Sequence, residues 1–181
     1  MIGQIRRFAR DENAAVALET VLMTPILVWV YVGTFVFFDA YRVYNTSVKT
    51  SYMVSDMLSR ETNWVYPADI QGMADVINTI IRGSDEVEMR ATQIGMVSGN
   101  YQVDWSWGVN GASRLFDANL PAIADRLPLM ADGERVILVE TFVDYEAPFN
   151  VGLTVTSFEN FSLARPRAGQ VRFDPDGGPS S

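Results

Sequence analysis

Residues 20–38, TVLMTPILVWVYVGTFVFF, carry no charged side chain. A helix rises about 1.5 Å per residue, so a run of this length can cross about 30 Å of hydrocarbon. The pattern predicts a membrane helix over 15–40. Pro25 lies inside it, where the missing amide predicts a bend that a membrane helix tolerates when its neighbours compensate. Trp29 and Tyr31 fall mid-span, a place for packing against lipid or other helices rather than for anchoring at the interface. Glu19 stands just before the run. Its carboxylate either reaches back to water or pairs with a cation on another subunit inside the membrane.

The helical period continues past the apolar run. No Pro or Gly occurs between Asp39 and Asn63, and Tyr41, Tyr44, Val48, Tyr52, Ser55 and Leu58 recur at three- and four-residue steps. They predict one moderately apolar stripe, with Asn45, Lys49, Asp56 and Ser59 on the polar side. A helix from about Ala15 to Arg60 would be about 70 Å long. An ordinary anchor followed by a core helix fits the same pattern. Pro67 suits the first turn of a second helix, Ile70, Met73, Val76, Ile77, Ile80 and Ile81 give it an apolar face, and Gly83 ends it.

The period then changes to two. Val87, Met89 and Ala91 alternate with Glu88, Arg90 and Thr92; after Ser98-Gly99-Asn100, the residues Tyr101, Val103, Trp105 and Trp107 alternate with Gln102, Asp104 and Ser106. Two alternating runs around a Gly-Asn turn predict an antiparallel hairpin. Trp105 and Trp107 are expected on one face, packed against a helix, with a partner-binding patch as the alternative. Residues 113–127, punctuated by Pro121 and Pro128, read as a short helix or a loop. Val136 to Val139 reads as a central strand that ends by Pro148, which lacks the donor a ladder needs. A last strand is expected over 153–163, followed by a Pro/Gly-rich flexible tail. The expected fold is α+β: a long transmembrane and stalk helix, a second helix and a small, mostly antiparallel sheet domain outside the membrane. Its parts are a cytoplasmic basic leader (1–14), the transmembrane helix (15–40), the stalk (41–64), the α+β domain (65–168) and the tail (169–181).

Charge refines this picture. The net charge is −8, and residues 41–181 hold eleven cations against eighteen acids. A domain so acidic repels phosphate, which argues against nucleic acid or an anionic lipid surface as a partner. Arg6, Arg7 and Arg10 precede the apolar run, whereas Arg42 and Lys49 are the first cations after it. That asymmetry favours a cytoplasmic N-terminus and an extracytoplasmic remainder, in the manner of a bacterial inner-membrane protein. A cleaved secretory signal is the alternative. The run exceeds the usual apolar core of such a signal, and Phe37-Phe38-Asp39-Ala40 offers no small-x-small site.

The residue inventory restricts chemistry. With no Cys and no His, zinc sites of the usual kind, Ser–His and Cys–His nucleophiles and imidazole proton transfer are excluded. Lys49 is the sole lysine and lies on the stalk, and no glycine-rich phosphate loop is present. Asp174, Asp176 and Gly177 echo the opening of a calcium loop whose later ligands are missing. Asp85, Glu86 and Glu88 cluster at a turn, the usual place for a solvated acidic face. No enzyme, no cofactor and no metal are expected.

The stretch RRFARDENAAVALETVLMTPILVWVY resembles the N-terminus of TadE-like proteins, small pilin-like components of the tight-adherence machinery that assembles Flp-type type IV pili. Arg10-Asp11, the small or aliphatic residues Ala15, Val16, Ala17 and Leu18, then Glu19 and Pro25 fall where that family has them. The resemblance implies cutting between Ala14 and Ala15 by a prepilin peptidase, which makes Glu19 the fifth residue of the mature chain. Ala14 replaces the Gly that the family places before the cut, and Thr20 stands where relatives carry Tyr or Phe. The resemblance further implies that Glu19 sets subunit register by pairing with a neighbour's amino group. Partners would be other pilin-like subunits and platform proteins of the inner membrane. A general envelope protein with an anchored binding domain is the alternative function.

Overall fold

A computed structural model describes residues 12–81, 86–152 and 156–177. The leader arginines Arg6, Arg7 and Arg10, the helix end expected at Gly83, and Asp85 of the acidic cluster lie outside the described residues. The fold is α+β, with a long apolar N-terminal helix and a small antiparallel sheet. Helix α1 (Glu12–Arg60) is followed by β1 (Trp64–Val65), α2 (Pro67–Ile80), β2 (Glu88–Val97), β3 (Asn100–Val109), two short 3-10 turns, β4 (Arg135–Tyr145), β5 (Thr156–Ala164) and β6 (Arg172–Phe173). The chain divides into two compact units, one of Met1–Tyr41 with Ala147–Thr154 and the other of Arg42–Glu146 with Val155–Ser181.

In the second unit, β2 to β5 form one antiparallel sheet in the order β3-β2-β4-β5. Period-two alternation gives the sheet two covered faces. Towards the helices β4 turns Ile137, Val139, Thr141 and Val143, all buried. Towards the other side it turns Val136 and Leu138, which join Ile94, Leu115, Leu120 and Leu127 in a core closed by the 3-10 segment. Pro67 opens α2, and Asp69 caps it by accepting the Tyr66 N–H at 2.9 Å. A carboxylate there also suits the positive end of the helix.

The inward face of α1 keeps Ser55 and Leu58 of the expected stripe but not its tyrosines. Tyr41, Tyr44 and Tyr52 are exposed, whereas Val43, Ser47, Thr50, Ser51, Val54, Ser55 and Leu58 are buried. Small side chains let a helix approach a sheet closely, and close approach wins over bulk here because short hydroxyls also find partners. Ser55 and Ser162 share a hydrogen bond of 2.7 Å; Asn160 on β5 donates to the Ser47 hydroxyl and to Thr141, each at 3.1 Å. The Ser51 hydroxyl alone among the described buried side-chain polar atoms has no partner. A buried unmatched hydroxyl costs about 1–3 kcal/mol, so Ser51→Ala should raise unfolding free energy by about 1 kcal/mol in a denaturant titration. A loss of stability would mean that Ser51 has a partner.

The hairpin contains one irregularity with a large effect. Ile94 faces Val103 but Gln93 faces Trp105, leaving Asp104 as an extra residue in β3. A bulge of this kind reverses which side later residues face. Tyr101 and Val103 therefore enter the core on one side of the sheet. Trp105 and Trp107 turn to the other, where their rings meet Phe173 at 4.8 and 5.6 Å. The two tryptophans do share a face, as expected, but not with Tyr101 and Val103, and both rings meet Phe173 of the C-terminal segment.

That segment was expected to be a flexible tail. Instead β6 pairs in parallel with β1, and Val171 is buried. Its backbone is held at both ends: the Val171 N–H donates to the Gln93 side chain at 2.7 Å, the Trp105 indole donates to the Val171 carbonyl at 3.0 Å, and the Asp174 N–H donates to Val65. Alternating apolar residues, Val171 and Phe173, supply what a Pro/Gly-rich composition hides. The last four positions, 178–181, lie outside the described residues.

Candidate functional site

Helix α1 runs unbroken through Pro25. Proline has no N–H, so the carbonyl one turn back, that of Val21, loses its helical partner. Around it the apolar run keeps its own polar groups occupied. The hydroxyls of Thr20, Thr24 and Thr34 each donate to the carbonyl four residues earlier, at 2.9, 2.6 and 2.8 Å. Such internal bonding is what a segment facing hydrocarbon requires, since lipid offers no donors or acceptors.

Most side chains of the run point outward, although Val36 is fully buried and Val32 half-buried. Val21, Leu22, Ile26, Leu27, Trp29, Tyr31, Phe37 and Phe38 are all exposed, Tyr31 at 74% and Phe38 at 70%. A soluble monomer rarely leaves so large a contiguous apolar surface bare. It is the one helix among the described residues that is long and apolar enough to cross a membrane.

Glu19 is exposed on this helix, one turn before Met23 and Leu22 in the apolar run. Its carboxylate is thus presented outward, open to water, to a lipid headgroup or to a cation of another subunit. Ala14 and Ala15 lie in the helical backbone, with side chains outside the described residues. The residues expected to set topology, Arg6, Arg7 and Arg10, lie outside as well. The geometry therefore brings Glu19 and Pro25 onto one helix and leaves their relation to the leader open.

Two features were not foreseen. A groove of about 530 Å³ in the second unit is lined by Met53, Met57, Trp64, Gly72, Met73 and Val76, with Glu61 and Asp69 among its polar residues. Methionines adapt to irregular partners, and their spacing at positions 53 and 57 was a legible signal. The other is a charge pair inside the sheet. Arg90 on β2 lies opposite Glu140 on β4 and binds it through two nitrogens at 2.7 and 2.6 Å, with both side chains largely buried. It also donates to the Ser113 carbonyl at 2.9 Å, which ties the stretch leading into the 3-10 segment to the sheet.

Among the described residues no group of three or more metal-ligating side chains converges. In the sequence that echoed a calcium loop, the Asp174 carboxylate accepts the N–H groups of Asp176 and Gly177, each at 3.1 Å, and closes a turn. The arrangement as a whole offers an apolar helix surface and a packed domain. No family model, no curated protein and no solved structure matches the chain.

Proposed function

We propose that the chain is a membrane-anchored, pilin-like component acting in the assembly of a Tad-type pilus. It works by helix packing in the membrane and by protein contacts of its sheet domain, not by catalysis. The observation that carries this reading is the 49-residue helix. Its first part leaves most of its large apolar side chains exposed, and its last part packs small hydroxyl residues onto a sheet. One helix that serves both as span and as domain core suits a pilin-like subunit, and the residue pattern around Glu19 supports the same family reading. In this reading the N-terminus is cytoplasmic, the sheet domain is periplasmic, and the partners are other pilin-like subunits and inner-membrane platform proteins.

Two measurements test it. In the source cell, loss of the protein should abolish or shorten surface pili. A Glu19→Ala copy should restore about a tenth as many pili as the parent sequence, the ratio that about 1.4 kcal/mol of lost pairing gives. Normal piliation without the protein would overturn the assembly reading. Normal piliation with Glu19→Ala would overturn only the pairing role. Mass spectrometry of the N-terminus should show a chain starting at Ala15, and a start at Met1 would remove the prepilin peptidase from the list of partners.

A second reading, an envelope protein with an anchored binding domain, is favoured by the methionine-lined groove. There the groove, not the helix surface, would be the working part, and piliation would be indifferent to the protein.

A further inference from the structure

We propose that residues 147–152, which join β4 to β5, form a second lipid-contacting element that seats Phe149 in the interfacial layer of the membrane. The proposal rests on the membrane-anchor reading of α1 and adds a contact that the anchor alone does not require. Three observations lead to it.

The segment belongs to the same compact unit as the apolar part of the helix. Val151 lines a cleft of about 540 Å³ together with Trp29, Gly33, Phe37 and Tyr41. At Gly33 the cleft is open, with nothing within 4 Å of where a Cβ would be. Residues 147–152, APFNVG, carry no charge, and Phe149 is 53% exposed with Pro148 exposed beside it. An exposed aromatic on an uncharged loop, next to an exposed apolar helix, makes one continuous apolar surface.

Depth follows from the helix itself. Gly33 precedes Phe38, the last residue of the uncharged run, by five residues, or about 8 Å of rise. A loop beside positions 33–41 therefore lies at the boundary between hydrocarbon and headgroups if residues 20–38 span the bilayer. The backbone sets a limit in the other direction. Irregular backbone exposed to lipid does not enter the hydrocarbon, because its N–H and C=O groups need partners. The Gly152 N–H is met by the Asn150 side chain at 3.3 Å. The loop backbone thus stays among headgroups and water, while the Phe149 ring points its apolar surface into the outer edge of the acyl layer. Lipid is favoured over a second copy as the occupant because the patch is continuous with the surface that the anchor gives to lipid.

The absence of cysteine makes a clean test available. The full chain carrying Phe149→Cys, labelled with an environment-sensitive NBD fluorophore, is reconstituted into phosphatidylcholine–phosphatidylglycerol vesicles. Trp29→Cys serves as the label within the span, and Asn150→Cys as a second loop site. The expected result is a blue-shifted emission at position 149, quenched more by nitroxides near the headgroup than by nitroxides deep in the acyl chain. The label at position 29 should show the reverse preference. A quenched label at position 29 with water-like, unquenched emission at both 149 and 150 would overturn the loop contact and leave the anchor standing. A blue-shifted label at 149 that no lipid nitroxide quenches would mean cover by protein, a second copy included, and would overturn it as well. An unquenched label at position 29 would remove the anchor reading and the loop contact together.

Discussion

Glu140→Ala is expected to lower the unfolding free energy by about 3 kcal/mol, at the lower end of what breaking a buried ion pair costs. The reason lies less in the lost attraction than in what remains. Arg90 stays on β2 with 15% of its side chain exposed and no carboxylate opposite it. A guanidinium cannot shed its charge, so the cost of keeping it out of water is no longer offset. Phe142, whose ring lies 5.9 Å from the guanidinium, and the Ser113 carbonyl compensate in part, as does the remaining water access. The double replacement Arg90→Met with Glu140→Leu should recover most of the loss, because paired apolar side chains of similar volume carry no such penalty. Chemical denaturation of the two variants and the parent decides the matter. A double variant as unstable as Glu140→Ala would show that the pair contributes something its desolvation cost does not cancel.

Val28→Arg is the second large effect, and under the proposed anchoring it acts on membrane insertion instead of domain stability. Val28 is exposed near the centre of the uncharged run. An arginine at the middle of a membrane helix costs about 2.5–3.5 kcal/mol in insertion, roughly a hundredfold in the inserted-to-uninserted ratio. The variant should move from the carbonate-resistant membrane fraction to the soluble or aggregated one. The charge-conserving Lys49→Arg change, which places the same side chain far along the same helix, should leave fractionation unchanged. If Val28→Arg stays fully membrane-resident, the run is not the span.

Much of the fold follows from periodicity that anyone can read in the chain. The uncharged run, the absence of helix breakers up to Arg60, the proline that opens α2 and the turn at Ser98-Gly99 each reflect a local rule, and each element forms where that rule places it. What stayed hidden depends on contacts distant in sequence. Tyr41, Tyr44 and Tyr52 outweigh serine in any hydrophobic count, yet Ser47, Ser51 and Ser55 face the sheet because they fit and because Asn160 meets Ser47 and Ser162 meets Ser55. Their four-residue spacing was visible; its meaning was not, without β5 in view. Gln93 gives no local sign that it will hold Val171, seventy-eight positions away. As for the candidate site, Glu19 and Pro25 stand out by their chemistry against an apolar background. The loop at 147–152 is short and unremarkable in sequence, and only its place beside Gly33 singles it out.

The extra residue at Asp104 has a consequence for how this chain can vary. Side-chain facing in β3 is set by counting: Val103 and Trp105 stand two positions apart yet face opposite sides, because Asp104 between them has no partner position on β2. Removing Asp104 would make Val103 and Trp105 neighbours, still opposite Ile94 and Gln93, with the tryptophan rings still on Phe173 and the indole still on the Val171 carbonyl. The shorter strand would give up only what the Asp104 carboxylate holds, the Gln93 amide and the Arg135 guanidinium. At this one position the strand can shrink without exchanging its inside for its outside.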